Sequence, residues 1–362
     1  MAQGSGTVLA YVGTYTRNGS KGIYCYRVDT ETGALTLLGT TNGVQNPSFV
    51  ALHPGGRFLY SVSEVGASDG RPGGAVAAFA LDPVSGALTL LDQQSSMGSG
   101  PCHVNVDHTG RYVFVANYGS GSAAMLPIQE DGSLGPACDS HQHEGSSVVP
   151  RRQEGPHAHS ANLAPDNRFV FVCDLGLDRV LAYRLDLDGA KFPPNDPAWG
   201  TLHPGAGPRH MTFHPSGEYA YVINELDSTM TVFAYDGARG ALETIQTITT
   251  LPEGFEGTSY PADVHISQDG RFLYGSNRGH DSIVTYAVDA ATGKLTVVGH
   301  TSTFGEFPRN FNIDPTGRWM YVANQNTNNI VTYRIDAASG MPEPTGEQLE
   351  VPIPVCIQFL TV

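Results

Sequence analysis

Residues 207–225 read GPRHMTFHPSGEYAYVINE: a proline, a short strand, a Pro-x-Gly turn and a second, aromatic-rich strand. Close copies recur as NPSFVALHPGGRFLYSVSE (46–64), GPCHVNVDHTGRYVFVANY (100–118), HSANLAPDNRFVFVCDL (159–175), YPADVHISQDGRFLYGSNR (260–278) and FPRNFNIDPTGRWMYVANQ (307–325). A shortened copy, IPVCIQFL, lies at 353–360. Self-similarity at a regular spacing indicates a repeat architecture.

The spacing of the leading prolines gives the number of repeats. These are Pro47, Pro101, Pro156, Pro208, Pro261, Pro308 and Pro354, which lie 46–55 residues apart. Passing from Pro354 through the C-terminus and back to Pro47 takes one more interval of the same length. Each unit has room for four strands, the size of a propeller blade. The sequence therefore predicts an all-β fold, one seven-bladed β-propeller domain over residues 1–362.

The outer half of each unit has the pattern of a β-hairpin. GIYCYRV (22–28) and ALTLLGT (34–40) flank a D-x-x-[ST]-G turn at Asp29–Gly33, and the turn recurs at Asp289–Gly293 and at Asp336–Gly340. IPVCIQFL supplies one strand of the last blade and VLAYVGTY (8–15) supplies the next. We therefore expect the N- and C-terminal strands to pair in one blade, which would leave no open sheet edge there.

The composition is typical of many short strands, and the net charge limits the kinds of molecule that the protein can bind. The chain has 43 Gly and 24 Pro but only 15% charged residues, and its formal net charge is −15. This charge repels phosphate backbones and anionic lipids, so we expect neither nucleic-acid nor membrane binding. The five cysteines form no CxxC motif, which argues against structural zinc. We expect a cytoplasmic protein. The sequence is compatible with a monomer and does not specify the oligomeric state.

The internal alignment separates scaffold positions from variable ones. Two registers vary chemically between blades at equivalent places. The first, at the start of the inner strands, contains Ser48, Cys102, His159, Arg209, Ala262 and Arg309. The second, after the next strand, contains Glu64, Tyr118, Leu175, Glu225, Arg278 and Gln325. Because equivalent positions ring one mouth of a propeller channel, we expect these side chains to surround a common cavity.

His159, Arg209, Glu225, Arg278 and Arg309 make this ring a candidate catalytic site. Guanidinium groups bind anions and stabilise oxyanions, while either His159 or Glu225 could move a proton. We favour His159 as the base, because neighbouring arginines lower the pKa of a carboxylate and leave Glu225 a weak base. These residues could instead have only structural roles. His159 would then make a hydrogen bond at a strand end, and Arg209 and Glu225 would form a simple salt bridge.

Other polar residues fall near this ring. The register next to this ring contains His103, His210 and Asp263. We expect these residues to support substrate binding from behind the side chains that contact the substrate. His157 lies outside the register and is predicted to be a surface-loop residue. The segment 137–153 is predicted to be an irregular loop in which the histidines have structural roles.

At HSANLAPDNR (159–168), GPRHMTFHPSGEYAYVINE (207–225) and ADVHISQDGRFLYGSNR (262–278), the chain resembles the lactonase family of seven-bladed propellers. That family includes propeller-type 6-phosphogluconolactonases and fungal 3-carboxy-cis,cis-muconate lactonising enzymes. The resemblance implies a site of His159, Arg209, Glu225 and Arg278, with no metal or organic cofactor. Arg309 is added by the symmetry of the repeat.

The resemblance implies a small anionic lactone or carboxylate substrate. We expect hydrolysis of 6-phospho-D-glucono-1,5-lactone to 6-phosphogluconate. Two alternatives stay open: a muconate-type lactonising reaction on a carboxylated substrate, and a propeller that binds or scaffolds without chemistry. Loss of His159 or Glu225 would stop an enzyme but would only change the affinity of a binding module.

Overall fold

The computed structural model describes residues 6–68 and 71–362, which form seven four-stranded antiparallel sheets and one small ribbon. Blade 7 contains β1 (Val8–Thr14), β2 (Ile23–Val28), β3 (Leu35–Thr41) and β30 (Pro354–Thr361). Blade 1 contains β4 (Val50–Leu52), β5 (Phe58–Ser63), β8 (Ala75–Leu81) and β9 (Leu88–Ser95). The ribbon is β6 (Ala67–Ser68) with β7 (Arg71–Pro72).

The other five blades are each continuous in sequence. Blade 2 contains β10 (Pro101–Val106), β11 (Tyr112–Asn117), β12 (Ser122–Pro127) and β13 (Asp139–Gln142). Blade 3 contains β14 (Ala158–Leu163), β15 (Phe169–Asp174), β16 (Arg179–Arg184) and β17 (Pro194–Thr201). Blade 4 contains β18 (Pro208–Phe213), β19 (Tyr219–Asn224), β20 (Thr229–Asp236) and β21 (Ala241–Thr249). Blade 5 contains β22 (Tyr260–Ile266), β23 (Phe272–Arg278), β24 (Ser282–Val288) and β25 (Leu295–Ser302). Blade 6 contains β26 (Pro308–Ile313), β27 (Trp319–Asn324), β28 (Asn329–Ile335) and β29 (Pro342–Glu350).

The inner strands form a closed ring. Each of β4, β10, β14, β18, β22 and β26 contacts the next, and β30 contacts both β26 and β4. Within blade 7, β30 pairs antiparallel with β1 from Val8↔Thr361 to Thr14↔Pro354. The seven-bladed propeller and its closure by N- and C-terminal strands, both predicted from the repeat, are therefore confirmed.

Burial changes from the channel outwards. All six residues of β11 are buried, whereas β29 exposes most of its residues. One buried apolar cluster lies between each pair of neighbouring blades. The inner strands of a blade pack on both faces, so they need nearly continuous apolar runs, and each buried large side chain contributes about 1.5–3 kcal/mol. The outermost strands face solvent on one side and tolerate polar residues.

A tyrosine in the second strand ties many blades to the next one. Its hydroxyl donates to the carbonyl of a glycine in the outer hairpin turn of the following blade. The pairs are Tyr11 with Gly86, Tyr60 with Gly132, Tyr221 with Gly293, Tyr274 with Gly340 and Tyr321 with Gly33, at 2.9–3.1 Å. Phe114 and Phe171 stand at the same register in blades 2 and 3 and have no hydroxyl to donate. In blade 2 the Tyr112 hydroxyl donates instead to the Leu187 carbonyl oxygen of blade 3, at 2.7 Å.

The hairpin turns have the geometry that their sequence predicts. In blade 5, the Asp289 side chain accepts the backbone N–H of Ala291 at 2.9 Å, and its carbonyl accepts that of Gly293 at 2.7 Å. Gly293 has φ +67°, a conformation that favours glycine. A Cβ there would also lie 2.4 Å from the ring of Tyr219 in blade 4. The turn glycine is thus required by its own backbone and by the adjacent blade.

One segment differs from the expectation. The stretch 137–153 was predicted to be irregular, but it contains β13, which pairs with β12 from Ser122↔Gln142 to Met125↔Asp139. Its sequence, DSHQ, is short and polar and has no alternation to show a strand. The strand forms because β12 offers a free edge for backbone pairing.

Candidate functional site

A cavity of about 240 Å³, here called the site cavity, opens where the inner strands begin. It is lined by Glu64, Cys102, Tyr118, Arg152, His159, Glu225, Arg278 and Arg309. All except Arg152 occupy two repeat positions: the second residue of an inner strand, or the end of the adjacent strand. Antiparallel pairing places these two positions side by side at the same end of each blade.

Glu225 is the centre of a buried cluster of charges. Its Oε2 accepts from Arg209 Nε at 3.1 Å and from Arg278 Nη2 at 2.6 Å, and its Oε1 accepts from Arg152 Nη2. Burial alone would raise the pKa of Glu225, but the charges of Arg278, Arg209 and Arg152 outweigh it and hold that pKa well below its usual range. Glu225 is therefore ionised at neutral pH and serves to orient the arginines.

Arg209 lies behind this cluster, with 2% of its side chain exposed. Its Nη1 donates to the Ala262 carbonyl oxygen and to His210 Nε2, the latter at 3.2 Å. Because an arginine can only donate, His210 Nε2 must be the unprotonated nitrogen. His210 Nδ1 then donates to Asp263 Oδ1 at 2.8 Å. A continuous chain of hydrogen bonds thus runs from Asp263 through His210 and Arg209 to Glu225.

Asp263 has further hydrogen-bond partners on its other oxygen. His265 Nε2 lies 3.1 Å from Oδ2, and the Asn310 side-chain amide donates to the same atom. Burial and the charge of Arg209 lower the pKa of His210 to about 4 despite the neighbouring carboxylate. His210 is therefore neutral at pH 7, and its fixed tautomer positions Arg209.

His159 faces the site cavity from blade 3 and has few polar partners. Its Nδ1 lies 3.8 Å from Cys102 Sγ, and among the described residues its Nε2 makes no hydrogen bond. Burial, followed by the charges of Arg209 and other nearby cations, lowers its pKa well below 6.5. The imidazole is therefore neutral at pH 7, the form in which one ring nitrogen carries a lone pair.

The wall opposite Glu225 carries a second carboxylate and a free cation. The Tyr15 hydroxyl donates to both oxygens of Glu64, at 3.0 and 2.9 Å, and the Ser48 hydroxyl donates to Oε2. Arg309 lies beside them, its guanidinium carbon 5.8 Å from the Tyr15 ring centroid. Within residues 6–68 and 71–362 the Arg309 guanidinium donates no hydrogen bond, so its N–H groups can bind an anion.

An aromatic layer lies behind the site cavity. The Phe49 and His103 rings lie 4.3 Å apart, and His210 lies 5.5 Å from His103 and 5.3 Å from His159, between ring centroids. Farther along the same inner strands is a second space of about 350 Å³, here called the lower chamber. Its lining includes His103, His210, Asp263, His265 and Asn310.

The predicted residues thus divide into two groups. His159, Glu225, Arg278 and Arg309 line the site cavity, and Arg209 contacts Glu225 from behind. His103, His210 and Asp263 line the lower chamber, where His210 and Asp263 support Arg209. His157 points elsewhere: its ring stacks on Tyr118 with centroids 4.6 Å apart, and its Nδ1 lies 3.0 Å from the Tyr118 carbonyl oxygen.

Several cavity residues were not assigned roles from sequence. Glu64 and Tyr118 stood in the variable register, and aligning Tyr11 of blade 7 with Tyr60 would have added Tyr15 to it. Arg152 had no such signal, because it lies in the segment between β13 and β14, outside the repeat.

Residues 6–68 and 71–362 contain neither a metal-binding cluster nor a membrane-spanning helix. No group of three or more His, Cys, Asp or Glu side chains there could hold a metal ion. None of these residues forms a helix long and apolar enough to cross a membrane.

Comparison with known proteins gives consistent matches over most of the chain. A family model described as lactonase, 7-bladed beta-propeller, matches residues 9–359. A 6-phosphogluconolactonase of Bacillus subtilis is 40% identical over 299 residues, which cover 83% of each chain. A 6-phosphogluconolactonase of Formosa agariphila is 35% identical over 82% of this chain and 83% of its own.

Solved structures agree with these matches. A putative 6-phosphogluconolactonase from Bacteroides fragilis superposes with a TM-score of 0.92 at 36% identity, covering 99% of both chains. The periplasmic gluconolactonase PpgL of Pseudomonas aeruginosa superposes with a TM-score of 0.93 at 38% identity, covering 98% of this chain and 99% of that one.

Proposed function

The chain belongs to the lactonase family of seven-bladed β-propellers, and we propose that it hydrolyses 6-phospho-D-glucono-1,5-lactone to 6-phosphogluconate. The relatives that carry the name 6-phosphogluconolactonase support this substrate. The observation that carries the chemistry is that His159 and Arg309 line one cavity. His159 is neutral, and within residues 6–68 and 71–362 neither its Nε2 nor the Arg309 guanidinium has a hydrogen-bond partner.

The reaction follows from the charges of the site cavity. His159 Nε2 accepts a proton from water as the water oxygen bonds to the lactone carbonyl carbon. Arg278 and Arg309 stabilise the oxyanion that forms, while Arg152, which is partly exposed, remains near the mouth to attract the phosphate. When the ring C–O bond breaks, the His159 proton passes to the leaving alkoxide, and 6-phosphogluconate leaves.

In this scheme Glu225 and the residues behind Arg209 hold the arginines in position. Glu225 stays ionised and fixes Arg152, Arg209 and Arg278 before substrate binds, so no reorganisation is needed as negative charge develops. His210 and Asp263 hold Arg209 from the lower chamber, and His103 packs beside them. They act on substrate binding through Arg209, without contact with the substrate.

A substrate panel tests the proposal. Purified protein is assayed on 6-phospho-D-glucono-1,5-lactone, D-glucono-1,5-lactone and 3-carboxy-cis,cis-muconate, with the spontaneous hydrolysis of each lactone subtracted. We expect the highest kcat/KM on the phosphorylated lactone. Turnover of the muconate alone would favour the lactonising alternative, because arginines bind carboxylates as well as phosphates. Binding of the ligands without turnover of any would favour the binding propeller.

We also propose that the protein acts in the cytoplasm on this small anionic substrate. The similar P. aeruginosa structure is named periplasmic, so the periplasm is the alternative compartment. Fractionation of cells that express the full-length natural gene would separate the two compartments.

A further inference from the structure

Glu64 is a carboxylate that the reaction scheme leaves without a task, although it lines the site cavity. It follows β5 in blade 1, on the wall across from Glu225 in blade 4. Its side chain also borders the narrow space beneath, next to Ser48 and Arg309. A carboxylate is costly to place among substrate-binding groups unless the substrate gives it a partner.

The partners of Glu64 differ from those of Glu225. Glu225 accepts from three guanidinium groups, whereas Glu64 accepts from the neutral hydroxyls of Tyr15 and Ser48. Within the described chain Glu64 forms no ion pair within 4 Å. Its charge is therefore not cancelled by direct contact.

The hydrogen bonds of Glu64 also leave acceptor capacity. A carboxylate has about four lone-pair sites. Ser48 uses one on Oε2, and the single Tyr15 hydroxyl is shared between Oε1 and Oε2. At least one site on Oε1 remains for a donor inside the cavity, and the two protein hydroxyls fix the direction in which it points.

The chemistry of this wall selects among ligand groups. A charged acceptor attracts hydroxyl donors and repels phosphate or carboxylate groups. The neighbouring Arg309 stabilises the oxyanion in the proposed reaction, but its guanidinium has five N–H donors. One of these can also bind a hydroxyl oxygen beside Glu64. A sugar lactone carries such hydroxyls, whereas 3-carboxy-cis,cis-muconate has none to donate to Glu64.

We propose that Glu64 recognises the ring hydroxyl groups of the substrate and thereby sets a preference for polyhydroxylated lactones. This inference rests on the proposed lactonase function. Tyr15 and Ser48 are positioning residues that hold the Glu64 carboxylate. The role is one of specificity, separate from the proton transfer assigned to His159.

The test compares two six-membered lactones that share the reacting ester. D-glucono-1,5-lactone carries the hydroxyls, and δ-valerolactone does not. We expect Glu64→Gln to lower the ratio of their kcat/KM values by about tenfold, because a charge-assisted hydrogen bond becomes neutral. Tyr15→Phe should lower the ratio in the same direction. Glu343→Gln, at an exposed residue of β29, is the control for loss of one negative charge and should leave the ratio unchanged.

The outcomes separate a specificity role from others. An equal loss on both lactones would overturn the proposal and place Glu64 in the chemical step. An unchanged ratio would overturn it as well.

If the unaltered protein hydrolyses no lactone, the proposed function fails, and calorimetry with 1,5-anhydro-D-glucitol 6-phosphate still tests Glu64. That ligand keeps the hydroxyls without the carbonyl, and Glu64→Gln should weaken its binding about tenfold; equal affinity would overturn the inference.

Discussion

Arg309 differs from the other cavity arginines because Glu225 does not hold it. Arg152, Arg209 and Arg278 all donate to that carboxylate, while the Arg309 N–H groups face the cavity. Burial would lower the pKa of Arg309, but Tyr15, Glu64 and Glu225 raise it, so the group stays charged at any working pH.

Arg309→Ala should therefore lower kcat/KM on the phosphorylated lactone by about 10²–10³, as for loss of one preorganised oxyanion donor. Arg309→Lys should recover only part of the loss, because an ammonium lacks the planar fork that binds an anion bidentately. Steady-state kinetics measure both. Arg239→Ala, at an exposed residue of blade 4, is the matched control. Full activity of Arg309→Ala would remove Arg309 from the site.

His159 gives the reaction its expected pH dependence. Burial and the nearby arginines lower its pKa below 6.5, so the neutral base is already fully formed at pH 6.5. The rate should rise with pH only below 6.5 and then stay level towards pH 8. His159→Ala should reduce kcat by about 10²–10⁴ and abolish the rising limb.

His157→Ala is the internal control for this prediction, because His157 does not itself line the site cavity, although its ring stacks on Tyr118 of the lining. It should change kcat little. If Glu225→Gln stopped turnover while His159→Ala kept most of it, the two roles would be reversed.

Sequence reasoning reached these residues through the repeat. Alignment of the blades placed His159, Glu225, Arg278 and Arg309 near one another, and the structure has them around one cavity; their catalytic roles remain predictions. Arg152 could not be found in this way, because it comes from a segment without a counterpart in other blades. The difference between Arg209, which Glu225 holds, and Arg309, which Glu225 does not hold, also depends on side-chain contacts that spacing does not fix.

At the level of the elements, the outer hairpin turns join neighbouring blades. Gly340 of blade 6 has φ +73°, accepts the Tyr274 hydroxyl of blade 5 at 2.9 Å, and would place a Cβ 2.4 Å from the Phe272 ring. Gly217 has the same φ of +73° but no atom within 4 Å of an added Cβ. The two glycines share a backbone conformation and differ in their surroundings.

Gly340→Ala should therefore cost more free energy of unfolding than Gly217→Ala. The shared backbone strain costs about 1 kcal/mol in each. The clash with Phe272 should add about 1–3 kcal/mol to Gly340→Ala alone. Urea titrations of both variants measure the difference. Equal losses would show that the contact between blades 5 and 6 at this turn contributes nothing.

The strands themselves were largely predictable, because most are long enough to show apolar runs bounded by glycine turns. The second strands of the blades are an example, since their burial on both faces demands such runs. The strand β13 was not predictable: four polar residues pair with β12 only because the edge of that strand is available.

At the scale of the whole molecule, stability depends on the ring being closed. Deleting residues 352–362 removes β30, which pairs with β1 and connects β26 to β4 in the ring of inner strands. This would expose the backbone of β1 along Val8–Thr14 and open the ring of inner strands. We expect unfolding or aggregation, because a bare strand edge pairs with other chains.

Size-exclusion chromatography and thermal unfolding measure the effect of this deletion. A synthetic peptide of residues 352–362, added in excess, should restore part of the native fold by pairing with β1. A truncated chain that stayed monomeric with an unchanged Tm would show that closure by β30 is not needed for stability.

The distance in sequence between β1 and β30 also sets an order of events during synthesis. Val8 pairs with Thr361, so the ribosome makes one partner long before the other. At about 5–20 residues per second, the interval is about 20–70 s. For that time the nascent chain carries a blade that lacks its inner strand. The yield of folded protein should thus depend on translation speed and on chaperones that shield β1 until the last residues emerge.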